Sequence, residues 1–236
     1  MLEVEGINAF YGQFHAVHDV SLTIGDGQLV TLFGPNGHGK STLLKAVCGL
    51  LDSTSGSVKW NGNELVGLPS EQIVEMGVIY IAEDRHLFPE MSIMQNLRLG
   101  AYSRKARNKE SQNLAFVMDL FPKLAKLRDK PAATLSGGEA RMLAIGRGIM
   151  SNPQFLAVDE PSLGLAPNLR VEVFKKINEI RHTGVSILLV EQSTQEVAEI
   201  ADYIYLMEDG RIVFEGCKED ALNNEKFKQV FLGIDQ

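Results

Sequence analysis

Apolar residues fall along this chain in two rhythms. Near the start they alternate with polar ones. Leu2 to Phe10 and Ala16 to Ile24 carry apolar and β-branched side chains at alternate places, broken by Tyr11-Gly12 and Gly25-Asp26-Gly27. A period of two predicts half-buried strands. Unbroken apolar runs follow: Leu29 to Phe33, Val78 to Ala82, Phe155 to Val158 and Val185 to Val190. These fit strands covered on both faces. Helix-like stretches separate them: Thr42 to Cys48, Ser70 to Met76, Thr194 to Ala201, and an amphipathic Leu169 to Arg181 closed by His182 and Gly184. Gly49 to Gly62 reads as a small polar hairpin, with Ser57 to Trp60 as a strand, Trp60 as strand packing and Asn61-Gly62 as the turn signal. Tyr203 to Met207 and Arg211 to Phe214 read as strands joined by Asp209-Gly210, and Lys218 to Gln236 as short helices.

From about residue 90 to 150 the pattern is helical. Leu114, Phe116, Val117, Leu120 and Phe121 repeat at helical spacing and read as core, while Ser103 to Lys109 reads as a charged, solvated break. Apolar strands alternating with helices predict an α/β fold built on a parallel sheet covered on both faces. The helical block then sits inside that fold as an insertion, 90–150, between two halves of one core, 1–89 and 151–236.

Composition narrows the classes. The chain has 236 residues and is 44% hydrophobic, enough for one domain with a subdomain inserted. Its 23 Lys+Arg against 30 Asp+Glu leave a net charge of −7, which argues against a nucleic-acid partner. Cys48 and Cys217 stand far apart, outside any metal spacing, and read as reduced, packed thiols of a cytosolic protein. No signal peptide is evident at Met1 to Gly6, and no apolar run is long enough to span a membrane.

The candidate chemistry begins at Gly34-Pro35-Asn36-Gly37-His38-Gly39-Lys40-Ser41-Thr42, between the run Leu29 to Phe33 and a helix-like segment. The spacing G-x-x-x-x-G-K-[ST] between strand and helix is that of a phosphate-binding loop. Glycines let several N–H groups point at one phosphate chain, and the following helix aims its positive end at the same anion. Lys40 adds charge at the β- and γ-phosphates, and Ser41 offers a hydroxyl to Mg²⁺. His38 is expected to point outward into solvent. Asp159 and Glu160 end the strand from Phe155. Ligands of open parallel sheets sit at such ends, so Asp159 is a candidate Mg²⁺ ligand and Glu160 a candidate base for the attacking water. Leu135-Ser136-Gly137-Gly138-Glu139 opens another helix with a capping box. Two glycines are wasteful for a cap alone, so this helix start is a second candidate anion site.

Gly34–Thr42, Leu135–Glu139 and Phe155–Glu160 resemble, in that order, the Walker A, signature and Walker B segments of an ATP-binding cassette (ABC) ATPase. The resemblance covers nearly the whole chain. It implies a P-loop NTPase (RecA-like) core with an N-terminal antiparallel β subdomain and an inserted α-helical subdomain carrying the signature. It also implies that two cassettes pair head to tail, so that Ser136, Gly137 and Gly138 act on the ATP held by the partner cassette. Tyr11 matches the aromatic on which adenine stacks.

A narrower resemblance, to ATPases of high-affinity branched-chain amino-acid importers, rests on Tyr80 to Pro89, Pro161 to Pro167 and Leu188 to Gln192. Most cassettes carry glutamine where this chain has Glu83, and many carry histidine where it has Gln192. Glu83 would lie near Mg²⁺ or the attacking water, and Gln192 would donate to the γ-phosphate. Asp84, His86, His38 and Ala140-Arg141 depart from the pattern. The implied partners are a second cassette, favoured to be a different subunit, two hydrophobic permease subunits and, indirectly, an external substrate-binding protein. The implied place is peripheral, on the cytoplasmic face of a prokaryotic inner membrane. Phe88, Pro89, Met91 and Ile93 would supply apolar contacts to the permease. The alternative class, a soluble ABC ATPase acting on nucleic acid or ribosomes, fits this acidic, single, armless chain less well.

Overall fold

A computed structural model of the chain describes residues 1–52, 54–192, 195–224 and 227. The alternating start folds as expected into β1 (Leu2–Tyr11) and β2 (Phe14–Ile24), which pair antiparallel. Leu2, Val4, Ile7 and Ala9 of β1 are buried, and so are Val17, Val20, Leu22 and Ile24 of β2. The period of two has thus put one face of each strand inside. β4 (Thr54–Trp60) lies on the other side of β1, and the two-residue β5 (Asn63–Glu64) pairs with β4 across Asn61-Gly62. The expected hairpin therefore forms, but β4 finds its longer partner in β1. Trp60 packs as expected, its ring centroid 5.6 Å from that of Phe155.

The second sheet has six strands. β3 (Leu29–Phe33), β6 (Val78–Ile81), β7 (Phe155–Asp159), β8 (Ser186–Glu191), β9 (Tyr203–Glu208) and β10 (Arg211–Gly216) lie in the order β10-β9-β3-β8-β7-β6. The pairs β9–β3, β3–β8, β8–β7 and β7–β6 are parallel. The sheet is not wholly parallel, because the tight turn at Asp209-Gly210 folds β10 back antiparallel on β9 at the edge.

Burial explains why these strands are apolar throughout. Val30, Leu32, Ala157, Leu188 and Val190 face the antiparallel sheet and α1 (Lys40–Val47) in one core. Leu29, Phe33, Leu156, Ile187 and Leu189 face a second core that includes α7 (Gly137–Met150) and α8 (Pro167–Arg181). Each fully buried Leu, Ile or Phe contributes on the order of 2 kcal/mol of transfer free energy.

Between β6 and β7 the chain is helical: α3 (Ile93–Gly100), α4 (Arg104–Arg107), α5 (Glu110–Leu120), α6 (Pro122–Leu127) and α7. The expected loop at Ser103 to Lys109 is instead a turn of helix. Ser103 caps it by accepting from the Ala106 N–H at 3.2 Å, and Ala106 is fully buried. Val117, Leu120 and Phe121 are core, with Leu114 and Phe116 packed half-buried against it. Helix α7 runs close over β6, because a Cβ at Gly148 would stand 2.8 Å from Ile81 Cδ1. α2 (Ser70–Glu75) precedes β6, as expected.

Toward the C-terminus, α9 (Gln195–Ile200) and α10 (Lys218–Asn223) are described. Thr194, where the stretch Thr194 to Ala201 was expected to begin, lies outside the described residues, as do 225–226 and 228–236 of the expected helical tail. Cys48 is a buried free thiol, whose burial pushes its pKa up to about 12. Cys217 is less packed than expected: it is half-exposed and donates from Sγ to Asp220 Oδ2 at 3.0 Å. No described helix is long and apolar enough to cross a membrane.

Candidate active site

The parallel strands end on one side of the sheet, and the chemistry gathers there. β3 delivers the loop Gly34 to Gly39, and α1 starts at Lys40. Gly39 is the N-cap with φ 95°, and no side chain caps the helix. A Cβ at Gly39 would stand 2.6 Å from the Ala16 carbonyl, so the position takes only glycine on both counts. The uncapped N–H groups remain for an anion. Lys40 is 4% exposed and folds back over the loop. Its Nζ donates to the carbonyls of Gly34 at 2.9 Å and Pro35 at 3.0 Å, and sits 3.3 Å from Glu160 Oε1.

β7 brings Asp159 and Glu160 to the same place. Ser41 donates from Oγ to Asp159 Oδ1 at 2.9 Å, although 118 positions separate them. Tyr80, at the end of β6, donates to Asp159 Oδ2 at 2.7 Å. Burial raises the Asp159 pKa, and these two hydrogen bonds oppose the rise. Glu160 holds a positive φ of 40°, an uncommon backbone state for a side chain of this size, and its N–H donates to the Val190 carbonyl at 3.0 Å. Its Oε2 accepts from Gln192 Nε2 at 2.8 Å. Gln192 thus gives one of its two amide N–H groups to the carboxylate.

The pocket in front of Lys40 measures about 270 Å³ and is lined by Asn36, Gly37, Gly39 to Thr42, Glu83, Glu160 and Leu163. Glu83 reaches it from the loop after β6. Its pKa is raised by burial and then by the charges of Glu160, Asp159 and Asp84, against which Arg141 acts. Glu191, next to Gln192, is 3% exposed and accepts from the Ser162 N–H at 3.0 Å. Burial pushes its pKa up to about 7, with the Ser162 bonds opposing.

Among the described residues no three His, Cys, Asp or Glu side chains gather as a metal cage. The oxygen set here is the Ser41 hydroxyl and the Asp159 carboxylate. That suits a hard ion that takes most of its ligands from phosphate and water, as Mg²⁺ does.

The other expected residues stand elsewhere. His38 does not point outward. It is half-buried, and its Nδ1 accepts from the Asp209 N–H at 2.9 Å and lies 3.3 Å from the Asp209 carboxylate. The β9–β10 turn, far off in sequence, occupies the space it would have reached. Tyr11 ends β1, 47% exposed, on the rim of a neighbouring groove and not in the phosphate pocket. Ser136 caps α7, accepting from the Glu139 N–H at 3.4 Å, while Glu139 Oε2 accepts from the Ser136 N–H at 2.9 Å. None of Ser136, Gly137 and Gly138 lines the phosphate pocket. Gly138 has a packing reason the sequence did not show, since a Cβ there would stand 2.9 Å from Leu169 Cδ1. Gly137 has none; its nearest neighbour would be Arg85 Nη2 at 3.9 Å.

The neighbouring groove, about 820 Å³, has exposed apolar groups at Leu50, Val74, Phe88, Leu99 and Tyr102. Of the expected contact residues, Ile93 is fully buried in the core and cannot take part. Tyr80, Glu191 and Arg141 were not foreseen as part of this site. A polar side chain inside or beside an apolar run is the signal they share.

A family model described as ABC transporter matches residues 17–163. The chain is 41% identical to the high-affinity branched-chain amino acid transport ATP-binding protein BraG of Pseudomonas aeruginosa, over 99% of this chain and all of that one. It is 29% identical to the lipopolysaccharide export system ATP-binding protein LptB of Haemophilus influenzae, over 99% of this chain and 97% of the other. Among solved structures, the ADP conformation of MJ1267, an ATP-binding cassette of an ABC transporter, superposes with a TM-score of 0.84 at 27% identity, covering 99% of each chain.

Proposed function

The chain belongs to the ABC transporter family and is an ATPase of that family; from that premise we propose that it is the ATP-hydrolysing subunit of an importer for branched-chain or related amino acids. The observation that carries the importer reading is the 41% identity to BraG along the whole of both chains.

The local chemistry supports the roles within hydrolysis. The uncapped start of α1 and Lys40 hold the phosphates of ATP. Ser41 and Asp159 hold Mg²⁺, which when bound supplies positive charge at the phosphate oxygens. Lys40 is now paired with Glu160, and a buried pair of this kind is weak evidence for stability. A γ-phosphate would draw Lys40 toward itself and leave Glu160 free to accept the proton of the attacking water. Gln192 orients that carboxylate. Ser136 and Gly137 lie outside the phosphate pocket of their own chain, which supports their acting on ATP held by a second cassette. The apolar groove at Phe88, Leu99 and Tyr102 suits a cytoplasmic helix of a permease, so the chain works peripherally on the inner face of the membrane.

Tagged protein is purified from detergent-solubilised native membranes and the co-purifying chains are identified by mass. Two very hydrophobic subunits, a second cassette and a gene-neighbouring amino-acid-binding protein support the importer. A lipopolysaccharide-export partner set, or ribosomes, would overturn it and leave only the ATPase.

A further inference from the structure

Four carboxylates crowd the strand ends: Asp159, Glu160 and Glu191 are buried and Glu83 is half-buried. Among the described residues, the buried cations are Lys40 and Arg141. Lys40 answers Glu160. Arg141 comes from a different element, the second turn of α7, and is only 1% exposed. Its Nη1 donates to the Ala82 carbonyl at 3.2 Å, one residue before Glu83. Its Nε has no hydrogen-bond partner. Taking a guanidinium out of water is costly, and offsetting that cost with so few hydrogen bonds requires nearby opposite charge. Glu191, Glu83 and Asp159 favour the Arg141 charge, while burial and Arg85 oppose it.

Arg147, further along the same helix, grips the same segment. It forks to the carbonyls of His86 and Arg85, each at 2.7 Å. Both those residues hold positive φ, 45° and 61°. The segment 82–86 is therefore a strained loop fastened to α7 by two arginines, and Glu83 is carried between the fastenings. Arg147 is held by those two carbonyls, whereas Arg141 also lies within the electrostatic reach of Glu191, Glu83 and Asp159.

We propose that Arg141 is a positioning residue for ATP hydrolysis: from the helix that opens at Ser136 it fixes the 82–86 segment and supplies the cation that keeps the Glu83 carboxylate beside the phosphate pocket. Two departures from the common family pattern, Glu83 and Arg141, are thereby one unit. The start of α7 and the phosphate pocket are also linked mechanically within one chain. The proposal rests on the ATPase reading.

A double-mutant cycle on the full chain tests it, with Arg141→Gln, Glu83→Gln and both together, read as kcat and KM for ATP and as thermal midpoint. Arg141→Gln alone is expected to lower kcat about tenfold with KM within about threefold, because an unanswered carboxylate is left at the pocket. In the Glu83→Gln background the same change should alter kcat by less than about threefold, since no charge is left to answer. The midpoint should show the same rescue, and that reading needs no turnover; wild-type turnover tests the ATPase reading separately. Equal costs in the two backgrounds, or wild-type turnover by Arg141→Gln, would overturn the proposal. If Arg141→Gln does not fold, recovery of folded protein by adding Glu83→Gln supports the pairing, and a double variant that also fails to fold overturns it.

Discussion

Two helices of this protein start at glycines, Gly39 before α1 and Gly137-Gly138 in α7, yet they are finished differently. The start of α1 is uncapped, and its surroundings come from three other places in the chain: Asp159-Glu160, Glu83 and Gln192. The start of α7 is satisfied by its own residues, Ser136 and Glu139, in a closed capping box. Glu139 reports the difference electrostatically: its hydrogen bonds to Ser136 hold its pKa below the usual carboxylate range, whereas burial raises that of Asp159. The first start is an assembled but unbalanced site. The second is a locally content one with an open face at Gly137. An unbalanced site needs a charged ligand, and an open, content one needs a surface brought to it.

The largest test of that contrast is at Glu160. Glu160→Gln keeps the shape and removes the base, so turnover should fall about a thousandfold while ATP still binds. Rapid turnover by this variant would leave the assembled site without its base and undo the contrast. Lys40→Ala comes next. Nucleotide affinity measured by equilibrium titration should drop about a hundredfold, the worth of one strong charged contact. Near-normal affinity would mean that the α1 start alone holds the anion and that the assembled surroundings matter less than the comparison holds. Gly137→Asp probes the other helix. Its side chain has room, so the thermal midpoint and ATP affinity should stay near wild type, while turnover in the assembled transporter falls about thirtyfold by like-charge repulsion. An affinity loss as steep as that of Lys40→Ala would put α7 on its own chain's nucleotide and erase the distinction.

How much of this was legible depended on distance along the chain. The phosphate loop is nine consecutive residues, and its spacing carries its geometry. Asp159 and Glu160 were legible because an apolar run stops at them. The start of α7 was legible as a cap, but the reason for Gly138 was not, because Leu169 lies on another helix. His38 was misread for the same reason: the turn at Asp209 that claims its ring is 171 positions away. Tyr80 sits inside the buried run Val78 to Ile81, where only the fold shows that its hydroxyl meets Asp159. Ser103 to Lys109 was read by its charges, though one buried alanine and a serine cap were enough to coil it. Local chemistry is written locally, while long-range pairings appear only when strands are laid side by side.

The smallest effect expected is also the one that separates the two helix starts by pH. Glu191 lies behind the assembled site, with its pKa pushed up to about 7 by burial. A carboxyl whose folded pKa exceeds its unfolded one binds more protons folded than unfolded. Its contribution is therefore full below about pH 4.5 and is lost as pH rises through about 7. Glu139 runs the opposite way: its depressed pKa gives stability that is present above the unfolded value and lost as pH falls through the folded one. Glu191→Gln keeps an oxygen for the Ser162 N–H and removes the titration. The wild-type thermal midpoint should fall by a few °C between pH 5 and pH 8 through this group, and the variant should lack that part of the slope. Glu139→Gln should leave the same window unchanged, since its titration lies below it. If the two variants flattened the pH 5–8 slope equally, the unbalanced charge would not be confined to the assembled site, and the contrast between the two helix starts would lose its electrostatic basis.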